Sequence, residues 1–314
     1  MEEINRSRVS IVIPCYNEEG NIIRLYDQIK LIVTEYIVEY LFVDDNSSDR
    51  TLEILENLAA EDENVRYLSF SRNFGHQSAL RAGLEFSTGD CVISMDADLQ
   101  HPPELLPAML SKWKEGYDIV YTIRKDIENV SFFKKVTASV FYKLINFLSD
   151  VEIKVGAADF RLLDKKIVKV LINDISEYHL FYRGLISWIG YKQTGIEYIP
   201  NKRYSGKTKY SFMKMLNLAL NGISSFSIRP LKIAILLGLI LSLLSGVYGL
   251  YVLWISVFTD KTVEGWTSVI LSILFIGGIN MILLGIIGEY VGKIYIQIKK
   301  RPHFLISKTN IKNG

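Results

Sequence analysis

Cysteine is scarce in this chain, which has only Cys15 and Cys91 among its 314 residues. Each lies in or beside an apolar run typical of a β-strand, and their spacing is not that of a metal site. The chain is therefore not a small disulfide scaffold, and nothing indicates a metal bound by cysteine. We expect two reduced thiols in the core of a cytosolic domain, with a disulfide as the weaker alternative.

Net charge is also close to zero. Lys and Arg together number 36 and Asp and Glu 34, a formal charge of +2, so no overall field points to a nucleic-acid partner. The N-terminal residues 1–10 are polar and charged and lack the apolar core of a signal peptide, so we expect the N-terminal domain to stay in the cytosol. Hydrophobic residues make up 49% of the chain, which excludes a disordered or collagen-like protein.

Charged residues are almost missing from one long stretch near the C-terminus. Segments 233–259 and 265–288 contain none at all. Each segment exceeds the roughly 20 residues that a helix needs to cross a bilayer, and the residues between them, 260–264, leave room only for a turn. The sequence therefore predicts a hairpin of two transmembrane helices, at about 233–258 and 266–288.

The basic residues around this hairpin predict its orientation. The turn contains a single lysine, Lys261, whereas several basic residues lie at the other ends of the two helices. Since loops rich in Lys and Arg stay in the cytoplasm, both ends of the hairpin are expected there. The basic residues at these ends are Arg229, Lys232, Lys293, Lys299, Lys300 and Arg301.

Two further segments, at about 129–149 and 211–230, combine apolar residues at helical spacing with basic residues elsewhere. Such helices can lie in the membrane interface; a helix that faces the core of the soluble domain is the alternative. We expect a cytosolic domain at 1–210 containing the first of them, a juxtamembrane helix at 211–230, the hairpin within 231–292 and a basic cytosolic tail at 293–314. Residues 302–306 of the tail are a candidate strand for pairing with a neighbouring chain.

Strand and helix signals alternate in the N-terminal part of the chain. This alternation predicts an α/β domain, a parallel sheet with helices on both faces, in which ligands bind beyond the carboxyl ends of the strands. The predicted strands are 9–14, 40–43, 65–70, 91–95 and 118–121, and the predicted helices are 21–36, 49–60, 76–87 and 103–115.

Polar side chains cluster where three of these strands end, at 14–18, 44–49 and 96–100. In the last cluster Asp96 and Asp98 are followed by the amide of Gln100, and oxygen ligands of this kind suit Mg²⁺ or Mn²⁺. An ion held there neutralises a diphosphate and helps it leave. No Gly-x-Gly-x-x-Gly follows the first strand and the chain has no P-loop, so a nicotinamide, flavin or P-loop site is not expected.

Six motifs in this order resemble those of family-2 glycosyltransferases with the GT-A fold, a Rossmann-like nucleotide-sugar domain. The closer resemblance is to the polyprenyl-phosphate glycosyltransferases, which include dolichyl-phosphate mannose synthase and bacterial undecaprenyl-phosphate glucosyltransferases. It covers essentially the whole chain, hairpin included. The motifs are at 12–18, 43–49, 71–75, 95–104, 159–162 and 203–210.

The resemblance implies a role for each matching residue. A nucleotide-sugar, expected to be a UDP-hexose, would contact Pro14, Tyr16, Glu18, Asp44, Asp45 and Asp96, and the metal would be held by Asp96, Asp98 and Gln100. Asp159 looks like the family's catalytic carboxylate. The phosphate of the lipid acceptor would be met by Arg124, Lys135, Arg203, Ser205, Lys207 and Lys209.

The reaction that follows from the resemblance is transfer of a hexose to polyprenyl phosphate with inversion at the anomeric carbon. UDP-glucose is the first choice of donor and UDP-N-acetylglucosamine the second. The enzyme would be a tetramer, multi-pass in the bacterial inner membrane, with its catalytic domain in the cytoplasm. A processive polysaccharide synthase is disfavoured because Gln-x-x-Arg-Trp is missing and two spans cannot conduct a polymer. A non-catalytic membrane scaffold would be expected to have lost the acidic motifs.

Overall fold

The computed structural model describes residues 7–125, 157–178, 180–201, 227–258 and 265–312. The chain divides into two compact units. One comprises Met1–Tyr142, Glu152–Phe212 and Arg301–Gly314, and the other Lys143–Val151 and Met213–Lys300. The predicted amphipathic helix at 129–149 lies outside the described residues, as does the one at 211–230 up to residue 226.

Repeated strand–helix units form the first unit. Every strand residue from Val9 to Cys15 is buried, as expected of a strand covered on both faces, and helix α1 buries Ile22, Leu25, Tyr26 and Ile29 along one side. In chain order the elements are β1 Arg8–Cys15, α1 Ile22–Ile32, β2 Ile37–Asp44, α2 Thr51–Glu61, β3 Val65–Phe70, α3 His76–Phe86, β4 Cys91–Ser94, the 3₁₀ turn Pro103–Leu105, α4 Leu106–Lys114 and β5 Ile119–Arg124. These are followed by β6 Ala157–Asp164, α5 Lys165–Lys169, the π-helical turn Val170–Asp174, α6 Tyr182–Trp188 and β7 Gln193–Tyr198.

The strands form one eight-stranded sheet in the order β7-β5-β6-β4-β1-β2-β3-β8. Strands β1 to β4 are parallel to their neighbours in this group, but β6 runs antiparallel between β4 and β5, and β8 is antiparallel to β3. The expectation of a parallel sheet therefore holds for β1 to β4 but not for β6 and β8. It came from the alternation of strand and helix signals, which stops after β5. Only strands joined by a helical crossover are constrained to be parallel.

The carboxyl ends of β1, β2 and β4 meet at one edge of the sheet. Cys15 pairs with Asp44, and the backbone N–H of Asp45 donates to the carbonyl of Cys15 at 2.9 Å. The N–H of Met95 likewise donates to the carbonyl of Val12 at 3.0 Å. This register brings the three polar clusters predicted from the sequence to the same edge. Cys15 and Cys91 are buried free thiols in this core.

Two long apolar helices make up the described part of the second unit: α7, Arg229–Phe258, and α8, Trp266–Ile298. Windows Arg229–Tyr251 and Phe275–Ile298 have mean hydropathies of 2.3 and 1.6 and are not buried inside the protein. Both helices are long and apolar enough to cross a membrane, and their exposed apolar surfaces need a non-aqueous surrounding. The second helix continues well beyond residue 288, where the predicted span ended.

The last residues of the chain return to the sheet. Strand β8, Ile306–Thr309, pairs with β3 of the same chain. The strand is displaced by a few residues from the candidate at 302–306, and it pairs with β3 of the same chain. We call residues 303–312 the C-terminal strap. It covers an edge of β3 that would otherwise present unpaired backbone groups.

Candidate active site

The acidic loop after β4 has a tightly constrained backbone. Leu99, between Asp98 and Gln100, adopts a positive φ of 61°, which is unusual for a residue with a branched side chain. Asp98 is 7% exposed, and one of its carboxylate oxygens accepts from the N–H of Gln100 at 3.1 Å. The Asp96 side chain is 39% exposed. The loop therefore presents one accessible carboxylate and one buried carboxylate in a fixed bend.

The buried side chain of His101 holds the backbone of this loop. The backbone N–H of Asp96 donates to His101 Nδ1 at 3.0 Å, and the buried imidazole stacks on Phe160 with ring centroids 5.0 Å apart. Since Nδ1 accepts, the proton of the neutral ring is on Nε2, which lies 3.8 Å from the Asp96 carboxylate. No sequence pattern points to His101, whereas in the structure it supports a candidate metal ligand.

The donor set of the acidic loop fits a hard divalent cation. Asp96, Asp98 and Gln100 offer carboxylate and amide oxygens within five residues, and Asp96 reaches solvent. Within the described residues, no group of three His, Cys, Asp or Glu could enclose a metal. Such an incomplete set is what Mg²⁺ uses when the phosphates of a substrate supply the remaining ligands.

Asp159, on β6, is bound by two arginines. Its Oδ1 accepts from Arg161 Nη2 at 3.0 Å and from Arg183 Nε at 3.2 Å, and its Oδ2 accepts from Arg183 Nη2 at 2.9 Å. Burial alone would raise the pKa of this carboxyl, but the positive charges of Arg183 and Arg161 reverse the effect and hold the pKa well below its usual range. Asp159 is therefore a permanent carboxylate at neutral pH.

His76, the first residue of α3, joins these two groups. Its Nε2 lies 3.7 Å from Asp96 Oδ1 and 3.9 Å from Asp159 Oδ2. Sequence reasoning assigned no role to His76 or Arg183. The signal for His76 was its position directly after the 71–75 motif, whereas Arg183 lies in a stretch with no recognisable pattern.

Asp44 and Asp45, the expected nucleotide contacts, are occupied by protein donors. Asp44 accepts from the N–H of Ser47 at 3.0 Å and the hydroxyl of Ser69 at 2.8 Å. Asp45 accepts from the N–H groups of Phe74 and Gly75 at 2.6 and 2.9 Å. Burial raises the pKa of Asp45, although these two bonds act in the opposite direction. Both carboxylates thus shape the loops at the strand ends.

The remaining nucleotide candidates follow β1. Pro14 is buried at the end of the strand, and Tyr16 is 39% exposed. Glu18 accepts from the Asn21 amide at 2.6 Å, and its backbone N–H donates to Thr51 Oγ1 at 2.9 Å. Tyr16 is therefore the accessible group of this set.

The structure also places Arg124 near the acidic loop. Burial raises the pKa of Tyr198 to about 12, while the charges of Arg124 and Arg183 oppose the rise and those of Asp96 and Asp98 add to it. Arg124 pairs with Tyr198 across β5 and β7, and the Tyr198 ring meets the ring of His101 edge to face at 6.1 Å. Lys135, Arg203, Ser205, Lys207 and Lys209 lie outside the described residues.

Comparison with known families matches both parts of the chain. The sequence model described as "Glycosyl transferase family 2" matches residues 10–172, and "GtrB C-terminal hairpin" matches residues 229–294. The first match contains the acidic loop and Asp159, and the second covers α7 and the part of α8 up to residue 294.

Similar proteins align over nearly their full length. The "Uncharacterized glycosyltransferase YkcC" of Bacillus subtilis is 44% identical over 96% of this chain and 93% of its own length. The "Prophage bactoprenol glucosyl transferase homolog" of Escherichia coli is 40% identical over 96% of this chain and 99% of its own. The "Bactoprenol glucosyl transferase" of Shigella phage SfII is 39% identical over 96% and 98%.

Proposed function

Because the chain belongs to glycosyl transferase family 2, we propose that it transfers a glucosyl residue from UDP-glucose to a polyprenyl phosphate, releasing UDP. The family relationship confirms the GT-A fold, the C-terminal hairpin and the glycosyltransferase class expected from the motifs. The choice of substrates rests on one observation: proteins named bactoprenol glucosyl transferase resemble this chain over 96% of its length.

The membrane hairpin supports a lipid acceptor. A polyprenyl phosphate keeps its chain in the bilayer and its phosphate at the surface, so the catalytic domain must work next to the membrane. Helices α7 and α8 provide that anchor, and the basic residues at the hairpin ends favour the cytoplasmic face of the bacterial inner membrane. Nucleotide-sugars are made in the cytoplasm, where the domain would meet its donor.

The acceptor needs little activation. A phosphate monoester has its second pKa near 6, so at neutral pH it is mostly a dianion and already a nucleophile. Asp159 is poorly suited to accept a proton: burial raises its pKa, but Arg183 and Arg161 more than reverse this. Asp159 is therefore assigned an orienting role in the catalytic site.

The leaving group requires more help than the nucleophile. A bound Mg²⁺ or Mn²⁺ supplies charge neutralisation to the departing diphosphate. Asp96, Asp98 and Gln100 are the residues that would hold the ion, and His101 fixes the backbone of Asp96 at 3.0 Å. Tyr16, with Pro14 and Glu18 beside it, would line the nucleoside end of the donor, while Asp44 and Asp45 fix the loops around it.

A single displacement sets the stereochemistry. If the phosphate attacks the anomeric carbon from the side opposite the leaving UDP, an α-linked donor gives a β-linked product. No residue then forms a covalent bond to the sugar. Arg124 and the basic segment 203–209, which lies ahead of the membrane helices in the sequence, would receive the lipid phosphate.

Two alternatives share the same site. UDP-N-acetylglucosamine would use the same metal and acceptor, with a different fit around carbon 2 of the sugar. A processive synthase would extend a polymer, which a two-helix hairpin cannot conduct. We also propose that the enzyme is a tetramer, on the basis of the family resemblance.

The deciding experiment incubates membranes containing the full chain with undecaprenyl phosphate, Mg²⁺ or Mn²⁺, and each UDP-sugar in turn. We expect a lipid-linked monosaccharide from UDP-glucose, identified by mass, and a β-linkage in its proton coupling constants. The Asp98→Ala variant in the same membranes is the control for background activity. A product from UDP-N-acetylglucosamine alone would make that sugar nucleotide the donor instead of UDP-glucose. A polymer would favour the processive synthase. An α-linked product would overturn the single displacement.

A further inference from the structure

The cluster around Asp159 brings two guanidinium groups to one carboxylate, Arg161 at 3.0 Å and Arg183 at 2.9 Å. The charge of the Asp96 carboxylate also acts on Arg161. The cluster therefore belongs to the same charged site as the acidic loop.

The two arginines differ in exposure. Arg161 is 2% exposed and also donates to the carbonyl of Ala158 at 2.8 Å, so it lies behind the carboxylate. The Arg183 side chain is 33% exposed. Asp159, with its side chain 10% exposed, separates the inner guanidinium from the outer one. An incoming anion can therefore approach Arg183 but not Arg161.

Arg183 also lies beside the acidic loop. The Asp159 carboxylate that binds it and the Asp96 carboxylate are within 3.9 and 3.7 Å of the same nitrogen, His76 Nε2. The charges of Arg183, Arg124 and Asp96 all act on the hydroxyl of Tyr198. A group bound to Arg183 would thus be next to the place where the donor's diphosphate and the acceptor's phosphate must meet.

The backbone around Arg183 is held firmly. The N–H of Tyr182 donates to Gln77 Oε1 at 3.3 Å, which ties the start of α6 to the start of α3. The segment leading to α6 is fixed by buried Arg81, whose guanidinium donates to the carbonyls of Ile172 and Ile175 at 3.2 and 3.4 Å. With Asp159 fixing the guanidinium as well, Arg183 loses little further freedom when it binds a ligand.

We propose that Arg183 binds a phosphate group of a substrate, and that Asp159, backed by Arg161, is the positioning residue that holds its guanidinium there. A planar guanidinium fork matches phosphate oxygens, and Arg183 is the partly exposed guanidinium of this cluster. The phosphate belongs either to the UDP of the donor or to the polyprenyl acceptor. This inference rests on the proposed function, since both substrates of that reaction carry phosphate.

Binding to the purified full chain separates the two sources. UDP with Mn²⁺ and a short-chain polyprenyl phosphate are titrated calorimetrically against the wild type, Arg183→Gln and Arg183→Lys. Arg24→Gln, on the exposed side of α1, removes the same charge elsewhere and should change neither affinity. Arg183→Gln should weaken one ligand by about 10- to 100-fold, as expected for the loss of a charge-assisted pair. If UDP binds more weakly, Arg183 binds the phosphate of the donor. If the lipid phosphate binds more weakly, Arg183 binds the phosphate of the acceptor. Unchanged affinity for both ligands overturns the proposal.

Turnover tests the positioning role of Asp159. Since Asp159 acts through Arg183, the double variant Asp159→Asn/Arg183→Gln should be no slower than Arg183→Gln alone. If the rate loss of the double variant equals the product of the losses of the two single variants, Asp159 has a separate task, and this half of the proposal is overturned. Methylguanidinium should partly restore Arg183→Gly, which a merely misfolded variant would not allow. A wild type that binds both ligands but transfers no sugar would overturn the proposed function, while the affinities would still decide the role of Arg183.

Discussion

At the scale of single residues, each charge of the site is fixed by a neighbour. The backbone of Asp96 is held by His101 at 3.0 Å, Asp98 accepts from the N–H of Gln100 at 3.1 Å, and Asp159 is clamped by Arg183. Leu99 adopts a strained positive φ between two of these groups. Strain of this kind persists only where the surroundings enforce it, and it is common at functional sites.

The two aspartates of the acidic loop should differ in their effect on stability but not on activity. Asp96→Ala removes a partly exposed side chain and should leave thermal unfolding nearly unchanged, whereas Asp98→Ala also removes the acceptor of the Gln100 N–H. Both should lower glucosyl transfer by more than about 100-fold, since even the groups that orient metal ligands are worth 10- to 100-fold. Initial rates and melting midpoints of the purified variants measure the two effects.

Asp27→Ala, on an exposed position of α1, is the matched control for this pair and should retain wild-type activity. Asp96→Ala or Asp98→Ala with near-normal turnover would refute the metal assignment.

At the scale of elements, the C-terminal strap contacts the loop that holds Asp45, one of the proposed nucleotide contacts. Phe304 stacks on Phe70 with centroids 5.2 Å apart, and Phe70 contacts Phe74 edge to face at 5.6 Å. The N–H of Phe74 is one of the two that bind Asp45. The carbonyl of Leu305 also accepts from the N–H of Ser71 at 2.9 Å. The strap therefore packs against the same loop that fixes Asp45.

Truncating Phe304 should loosen that loop. Phe304→Ala removes the stacked ring, and we expect faster amide exchange across residues 65–75 because the strap opens more often. Hydrogen–deuterium exchange on the full chain, read by mass, measures this. Leu305→Ala removes an apolar side chain that is 54% exposed and keeps the backbone acceptor, so it serves as control. Equal exchange in the wild type and in Phe304→Ala would contradict the coupling.

Protonation of His303, in the C-terminal strap, should make the fold less stable at acidic pH. This imidazole stacks on Tyr178 at 5.5 Å; burial, and then the charge of Arg81, lower its pKa from 6.5 to about 4. Between these values the unfolded chain binds more protons than the folded one, so the histidine costs nothing above about pH 6.5 and destabilises the fold increasingly as the pH falls to 4.

Melting midpoints of the full chain at pH 7 and pH 5 test this dependence. From pH 7 to pH 5 the melting midpoint of the wild type should fall further than that of His303→Gln, which cannot be protonated. Equal losses in the two proteins would remove His303 as the cause.

At the scale of the whole molecule, the hairpin determines which compartment the catalytic domain can reach. The proposed cytoplasmic orientation predicts that Thr262→Cys, which lies between the two apolar helices in the sequence, reacts with a membrane-impermeant maleimide added to intact cells. Lys308→Cys, on the exposed side of β8, should react only after the cells are opened. Background is low because Cys15 and Cys91 are only 2% and 0% exposed. The reverse pattern of labelling would invert the topology.

Much of this molecule could be predicted from short stretches of sequence. The strand ends, the Asp96–Gln100 loop and the two apolar helices follow from consecutive residues, whose spacing and hydropathy act locally. The antiparallel direction of β6 could not be predicted, because direction depends on how the chain returns to the sheet. The pairing of β8 with β3 likewise joins residues more than 200 positions apart, as between Thr309 and Tyr67.

The sequence by itself determined that an α/β domain with an acidic loop is followed by two apolar helices, because each of those features belongs to contiguous residues. Only the tertiary structure decided which charges meet around Asp159. His76, Arg161 and Arg183 come from three different elements, and no local pattern connects them. Their convergence depends on the packing of α3 and α6 against the sheet, and that packing places the Asp159 carboxylate, expected from the family resemblance to be catalytic, against two arginines.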